Sequence, residues 1–273
     1  MSVIRFLAVI SGFALVFGCA GATNSSGGGG LPPYNGSPPL EGPWEFTGSS
    51  TTLPGQHIYV GVDLSQSAST LSATQLEVLT GGPSVSPVSG CPIPLEPSFS
   101  GSLSGAVLTV TLTSGTKTVQ LPGEVAPDGK SISGTYSGGC IPGDNGGTFT
   151  AGVISPLSGT FNGTLTDAHN NPAQTSMQIS DNSGPLFTFT GTGQGNDSGN
   201  GFSFSFVATQ TGAYFSGGGT LAMAGTVGPP APITVSGHLN PTATVVDHFF
   251  MGEPSGSGPI PIFFIVYMGT LSK

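Results

Sequence analysis

One motif recurs along this chain and limits what it can fold into: an apolar residue, then Ser, Gly, a small residue and a second apolar residue. It stands as Leu103-Ser104-Gly105-Ala106-Val107, Ile132-Ser133-Gly134-Thr135-Tyr136, Leu157-Ser158-Gly159-Thr160-Phe161 and Val235-Ser236-Gly237-His238-Leu239, and with a looser middle at Phe215. Side chains alternate faces along a strand, so the apolar pair and the Gly between them share one face while the hydroxyls take the other. A Gly set inward between two bulky residues lets a strand coil sharply, as the wall of a small closed barrel must. No ten-residue stretch of helical period follows the N-terminal segment, so the fold class is all-β.

From Gly42 onward, strand-like runs alternate with clusters of Gly, Pro, Asn and Asp. The first half gives runs near 44–50, 57–65, 70–79, 98–103, 106–113, 117–125, 130–137 and 147–154. The second gives runs near 157–166, 174–181, 185–192, 201–210, 213–226, 232–239, 243–250 and 260–271. Both halves open alike, GPWEFTGSS against SGTFNGTLTD, and both close on an apolar strand, which reads as a tandem duplication. Roughly eight antiparallel strands per half suit an up-and-down barrel, and closure removes the exposed edges that few charged residues are present to guard. The expected organisation is a signal peptide over 1–18, a Gly/Ser/Pro-rich tether over 19–41, one barrel over 42–154 and a second over 155–273.

Alternation selects the inner faces. Ile58, Val60, Val62 and Leu64 lie on one side with Tyr59, Gly61, Asp63 and Ser65 opposite, and Leu108, Val110 and Leu112 oppose Thr109, Thr111 and Thr113. In the second half Phe187 and Phe189, then Phe202, Phe204 and Phe206, line a face against Thr and Ser, the pattern of a half-buried sheet. Hydrophobic residues make up 36% of the chain, enough for a core, but charged ones only 6%, with a net charge of −9. Beyond Arg5 in the leader, the basic side chains are Lys117, Lys130 and Lys273, too few to neutralise a phosphate backbone, so nucleic acid is excluded as a partner.

Arg5, the apolar stretch Phe6 to Phe17 and Gly18-Cys19 have the form of a signal sequence, since 12 apolar residues are too few to span a bilayer. Val16-Phe17-Gly18-Cys19 resembles a bacterial lipobox, with the bulky Phe17 where a small residue is usual. The resemblance implies a diacylglycerol on the Cys19 thiol and Cys19 as the new N-terminus. Ala20 after the Cys, with no Asp there, implies sorting to the outer membrane. The competing reading is cleavage after Ala20-Gly21-Ala22, which discards Cys19 and gives a secreted or periplasmic chain. Asn24 to Gly30 and Leu31 to Pro39 form a flexible and then a semi-extended tether.

Trp44 in the opening strand and the ISGTYS strand are similar in style to avidin and lipocalin barrels, without the ligand residues of either family. The WEFT opening, the SGTYS strand and the following Gly139-Cys140 loop, over residues 42 to 166, resemble uncharacterised β-rich bacterial lipoproteins. That resemblance carries no catalytic residues with it.

With Cys19 lipidated, Cys91 and Cys140 remain as an even pair in an oxidising compartment. They fall in the third and seventh connections, at the same end of an up-and-down barrel, and a bridge between them would stabilise the domain by roughly 4 kcal/mol in the chain-entropy model. Of the four histidines, His57, His169, His238 and His248, only His238 and His248 with Asp247 form a conceivable metal set; no spacing motif supports it, and no metal or cofactor is expected. The loops at 143–147 and 196–201 carry oxygens that suit Ca²⁺ but are more simply hairpin turns. No G-x-S-x-G elbow and no His/Asp pair placed to activate a Ser is found, so the chain reads as a non-enzyme. Three functions stay open: a lipid-anchored, non-catalytic envelope module with a protein partner, a carrier of a small apolar ligand inside one barrel, and a hydrolase with an unrecognised site.

Overall fold

A computed structural model describes residues 38–81, 98–138, 143–167, 169–180, 187–197, 200–225, 228–252 and 266–273. The expected sixteen strands are present. Eight form the first barrel: β1 (Gly42–Ser50), β2 (His57–Ser67), β3 (Thr70–Gly81), β4 (Ser98–Ser104), β5 (Val107–Ser114), β6 (Lys117–Val125), β7 (Ser131–Ser137) and β8 (Gly146–Val153). Eight form the second: β9 (Gly159–Asp167), β10 (Pro172–Ser180), β11 (Thr188–Asp197), β12 (Asn200–Thr211), β13 (Tyr214–Met223), β14 (Ala231–Leu239), β15 (Val245–Gly252) and β16 (Val266–Ser272). Each set pairs antiparallel in sequence order and closes on itself, β1 against β8 with Phe46 opposite Ala151, and β9 against β16 with Gly163 opposite Leu271. The chain is thus a tandem of two closed eight-stranded up-and-down barrels.

The inner faces follow the alternation. Ile58, Val60, Val62 and Leu64 are buried with Leu108, Val110, Leu112, Trp44, Phe46 and Phe149 in the first core. Leu40 belongs to that core and is fully buried, its N–H donating to Gln66 Oε1 at 2.7 Å, so the expected tether over 19–41 ends inside the barrel it was to hold at a distance. Ile154 and Leu157, from the connection between the barrels, are buried in the second core.

The second barrel fills its axis with rings laid over glycines. Gly191, Gly193 and Gly195 of β11 stand opposite Phe206, Phe204 and Phe202 of β12. A Cβ on any of the three would lie 2.2 Å from the Cζ of its partner ring, so each ring occupies the space a side chain there would take. The three rings stack along the strand, with Phe204 and Phe206 centroids 6.2 Å apart at 15°. Phe189 and Phe215 meet edge to face at 5.5 Å beyond them. Alternating none and large across facing positions is one way to reach native packing density in a narrow barrel.

Three sequence expectations change. The repeated motif does not always place its Gly in a strand wall. Gly134 and Gly237 do lie inward under rings, those of Phe149 and Phe215. Gly105, however, has φ +60 in the two-residue turn between β4 and β5, which leaves Val107 60% exposed. Gly159 opens β9 at φ +97. Phe187 also departs, since its φ of +46 breaks the alternation before β11 begins at Thr188. Finally Gly61 and Asp63, on the outward side of β2, are buried, because the second barrel covers them.

Candidate functional site

Three places hold the polar chemistry of the described residues. The first closes one end of the first barrel. Asp144, in the loop before β8, accepts from Ser50 Oγ at 2.8 Å and from the Gly146 N–H at 3.0 Å through Oδ1, and from Tyr136 Oη at 3.0 Å through Oδ2. Burial, then the hydrogen bond and charge of Asp144, push the Tyr136 phenol up to about 12. The carboxylate is saturated by protein donors, which is the work of a structural clamp, and the loop at 143–147 is a turn as expected.

The second is the seam between the barrels. Gly212, at φ +59 in the β12–β13 turn, approaches β2 so closely that a Cβ would lie 2.3 Å from Trp44 O and 2.6 Å from the Gly61 Cα. Only glycine on both sides permits that backbone contact. Around it Gly212 N–H donates to Asp63 Oδ1 at 3.2 Å, and Thr211 Oγ1 to Gln75 Oε1 at 2.7 Å. Tyr214 Oη reaches Glu45 Oε1 at 3.4 Å, and His238 Nε2 lies 2.9 Å from the same oxygen. Gln210, wholly buried, accepts from Leu157 N–H and donates to Ser155 O and Gly212 O, pinning the connection. Asp63 Oδ2 is buried without a donor among the described residues, and burial raises its carboxyl to about 6 despite the Gly212 bond. His238 stands opposite Asp247 in register, yet its ring turns to Glu45; the described residues form no cluster of three metal-ligating side chains.

The third is a recess of about 690 Å³ in the outer wall of β9–β13. Asn162, Ser176, Gln194 and Ser203 form one cross-strand row over four strands, each directly opposite the next. Gln174 and Asn196 begin a second row beside it. The inward row between them is Gly163, Thr175 and Gly195, too small to hold the wall out, so the wall dips there over the Phe202 ring. A shallower hollow of about 270 Å³ lies further along β11–β13, where Gly191 and Gly219 flank Phe206.

Among the described residues neither barrel axis stands open. A void inside the first barrel, between Phe46, Ile58, Leu112 and Tyr136, measures about 10 Å³, room for no more than one water, and rings line the axis of the second. The feature nearest to a hydrolytic site is Ser49 Oγ at 3.1 Å from His57 Nδ1; among the described residues no carboxylate orients the other ring nitrogen. Cys19, Cys91 and Cys140 lie outside the described residues, as does the contact argued for the last two. The row across β9–β12 escapes sequence reading because it needs the register: four residues from four strands share no spacing in the chain.

No family model matches the chain, and no curated protein sequence matches it. Among solved structures it is similar to the vaccine antigen transferrin binding protein B of Haemophilus parasuis Hp5, at 15% identity and a TM-score of 0.23, over 81% of this chain and 52% of that one. It is likewise similar to intact Ap-TbpB, N and C lobes, at 13% identity and a TM-score of 0.21, over 80% and 53%. The chain spans about half the length of these structures. A likeness at this level carries nothing about ligand or partner.

Proposed function

We propose that the chain is a lipid-anchored, non-catalytic module of the bacterial envelope that works by contacts on its outer surface. The observation that carries this reading is how the described residues fill the two axes, the first around a void of about 10 Å³ and the second with stacked phenylalanine rings, which leaves the outside to meet a partner. The same observation favours the surface module over the carrier of a small apolar ligand. The seam supports it as well, since Gln210, Gly212 and Asp63 join the barrels through hydrogen bonds and backbone contact into one body for display. The lipobox-like Val16-Phe17-Gly18-Cys19 supplies the anchor, Cys91 and Cys140 a bridge, and the outer membrane is the address that Ala20 implies.

Intact-mass analysis of the chain from its own membranes, without reductant, tests the covalent part. The expected mass corresponds to a diacylglyceryl chain beginning at Cys19 and two hydrogens short of the free-thiol value. Cys19→Ala is expected to leave the detergent phase for the aqueous one. An unlipidated chain beginning at Thr23 would show that Cys19 is discarded and the anchor wrong.

A further inference from the structure

We propose that the recess in the outer wall of β9–β13 binds a neutral, polyhydroxylated ligand, a glycan chain. This rests on the reading that the module works from its outer surface, and is independent of the anchor. At about 690 Å³ the recess has the size of a ligand site, and none of the residues lining it carries a charge.

The side chains of the row Asn162, Ser176, Gln194 and Ser203 are uncommitted, and the four lie side by side at the recess. Among the described residues none of the four has a side-chain hydrogen bond to the protein. The rows around it are paired across strands: Gln174 Nε2 donates to Thr164 Oγ1 at 2.8 Å, Thr160 bonds Gln178, Ser180 bonds Thr190, and the Ser205 and Thr220 hydroxyls lie 3.3 Å apart. At the recess the wall therefore presents donors and acceptors that the protein itself does not use. Three strand spacings make the row roughly 14 Å long, the reach of a short oligosaccharide.

The chemistry of the row selects the class. Hydroxyls and carboxamides each donate and accept, as sugar hydroxyls do, so every group on either partner can be satisfied. An ion of either sign meets no counter-charge, and the net charge of −9 repels polyanions. An apolar ligand would strip water from four polar side chains and return no hydrogen bond. An extended peptide cannot add to the sheet, because each strand of β9–β13 is paired on both sides in a closed barrel. Phe202 and Met223 at the base offer apolar contact to the C–H faces of a ring.

The test is a glycan array of neutral and acidic oligosaccharides probed with the full mature chain, followed by calorimetric titration with the best neutral binder. Binding to neutral glycans is expected, weakened about tenfold by Gln194→Ala and by Asn162→Ala, the loss of one or two hydrogen bonds each. Thr188→Ala, outside the recess, is expected to leave it within about twofold. All three are wall residues whose truncation should leave the melting temperature within a few degrees, which keeps a binding loss distinct from unfolding. An array on which no neutral glycan is bound, or only acidic ones, would overturn the proposal, as would neutral binding that Gln194→Ala and Asn162→Ala leave intact. Cys19→Ala should not change glycan binding, so failure of the anchor and failure of the recess are read separately.

Discussion

The two barrels share strand number and order but fill their axes differently. The first draws branched and aromatic side chains from every strand, with Trp44 and Leu40 at one end and the Asp144 clamp on Tyr136 at the other, and has isolated glycines under rings, Gly123 and Gly134 at Phe149 and Gly48 and Gly147 at Tyr136. The second alternates nothing with rings, Gly191, Gly193 and Gly195 under Phe206, Phe204 and Phe202. The consequence appears on the outside. Two hollows in the outer wall of the second barrel, about 690 and 270 Å³, lie over glycine-and-phenylalanine rows, and a small void lies within the first barrel. In the second barrel the wall sinks where successive glycines of one strand face phenylalanines of the next. Interior composition thus shapes the outer surface on which a module with a filled axis depends.

The largest expected effect breaks the ladder. Phe206→Ala should cost about 3 to 5 kcal/mol of stability, the usual range for a buried Phe truncated in a core. Gly191→Ala places its methyl carbon 2.2 Å from the Phe206 ring and should be severely destabilising alone. In the Phe206→Ala background the same methyl has room, and the cost of Gly191→Ala should largely vanish. Denaturant melts of the four proteins give the coupling directly. Additive costs would mean that the ring does not lie over the glycine.

The seam is the next point of attack. Asp63 has its folded pKa raised to about 6 from 3.8, so the folded chain holds this proton more tightly than the unfolded one between those values. Stability from this group is therefore full at acid pH, falls as pH rises through about 4 to 6, and stays low above. Glu45, Tyr59, Tyr214, His238 and Asp247 lie on the elements around it, and the described residues place no Lys or Arg there. Asp63→Asn should raise stability at pH 8 by about 1 kcal/mol and flatten the pH dependence across that window. A variant that is destabilised at pH 8 would show that the carboxylate is held by donors and its burial is not a cost.

A smaller effect concerns the clamp. Asp144→Ala should cost about 1.5 to 3 kcal/mol, the range for hydrogen bonds to a charged group, and release Tyr136. In a tyrosinate absorbance titration one phenol should move from about 12 toward the ordinary value near 10. An unchanged titration would detach Asp144 from Tyr136.

The sixteen strands and both inner faces are legible in the sequence, because period-2 alternation and Gly, Asn and Pro turns are local signals. Leu108, Val110 and Leu112 needed nothing more. Gly61 and Asp63 show the limit: alternation correctly sets them opposite the core, but nothing local says that a second barrel will cover them. The repeated motif has the same limit, since identical residues make a turn at Gly105 and a ring-covered wall at Gly134. The recess is illegible for a further reason: its row is written across four strands, and the commitments of the rows beside it depend on side chains from neighbouring strands meeting in space.

The claim on which everything else rests is that both axes are filled. Melting the chain with and without saturating benzene, beside Phe206→Ala as the positive control, tests it most directly. An apolar cavity of sufficient size binds benzene and is stabilised by it. The expected result is no shift in Tm for the wild-type chain and a rise for Phe206→Ala. A rise for the wild type would place an open apolar cavity inside a barrel, return the carrier to consideration and contradict the account.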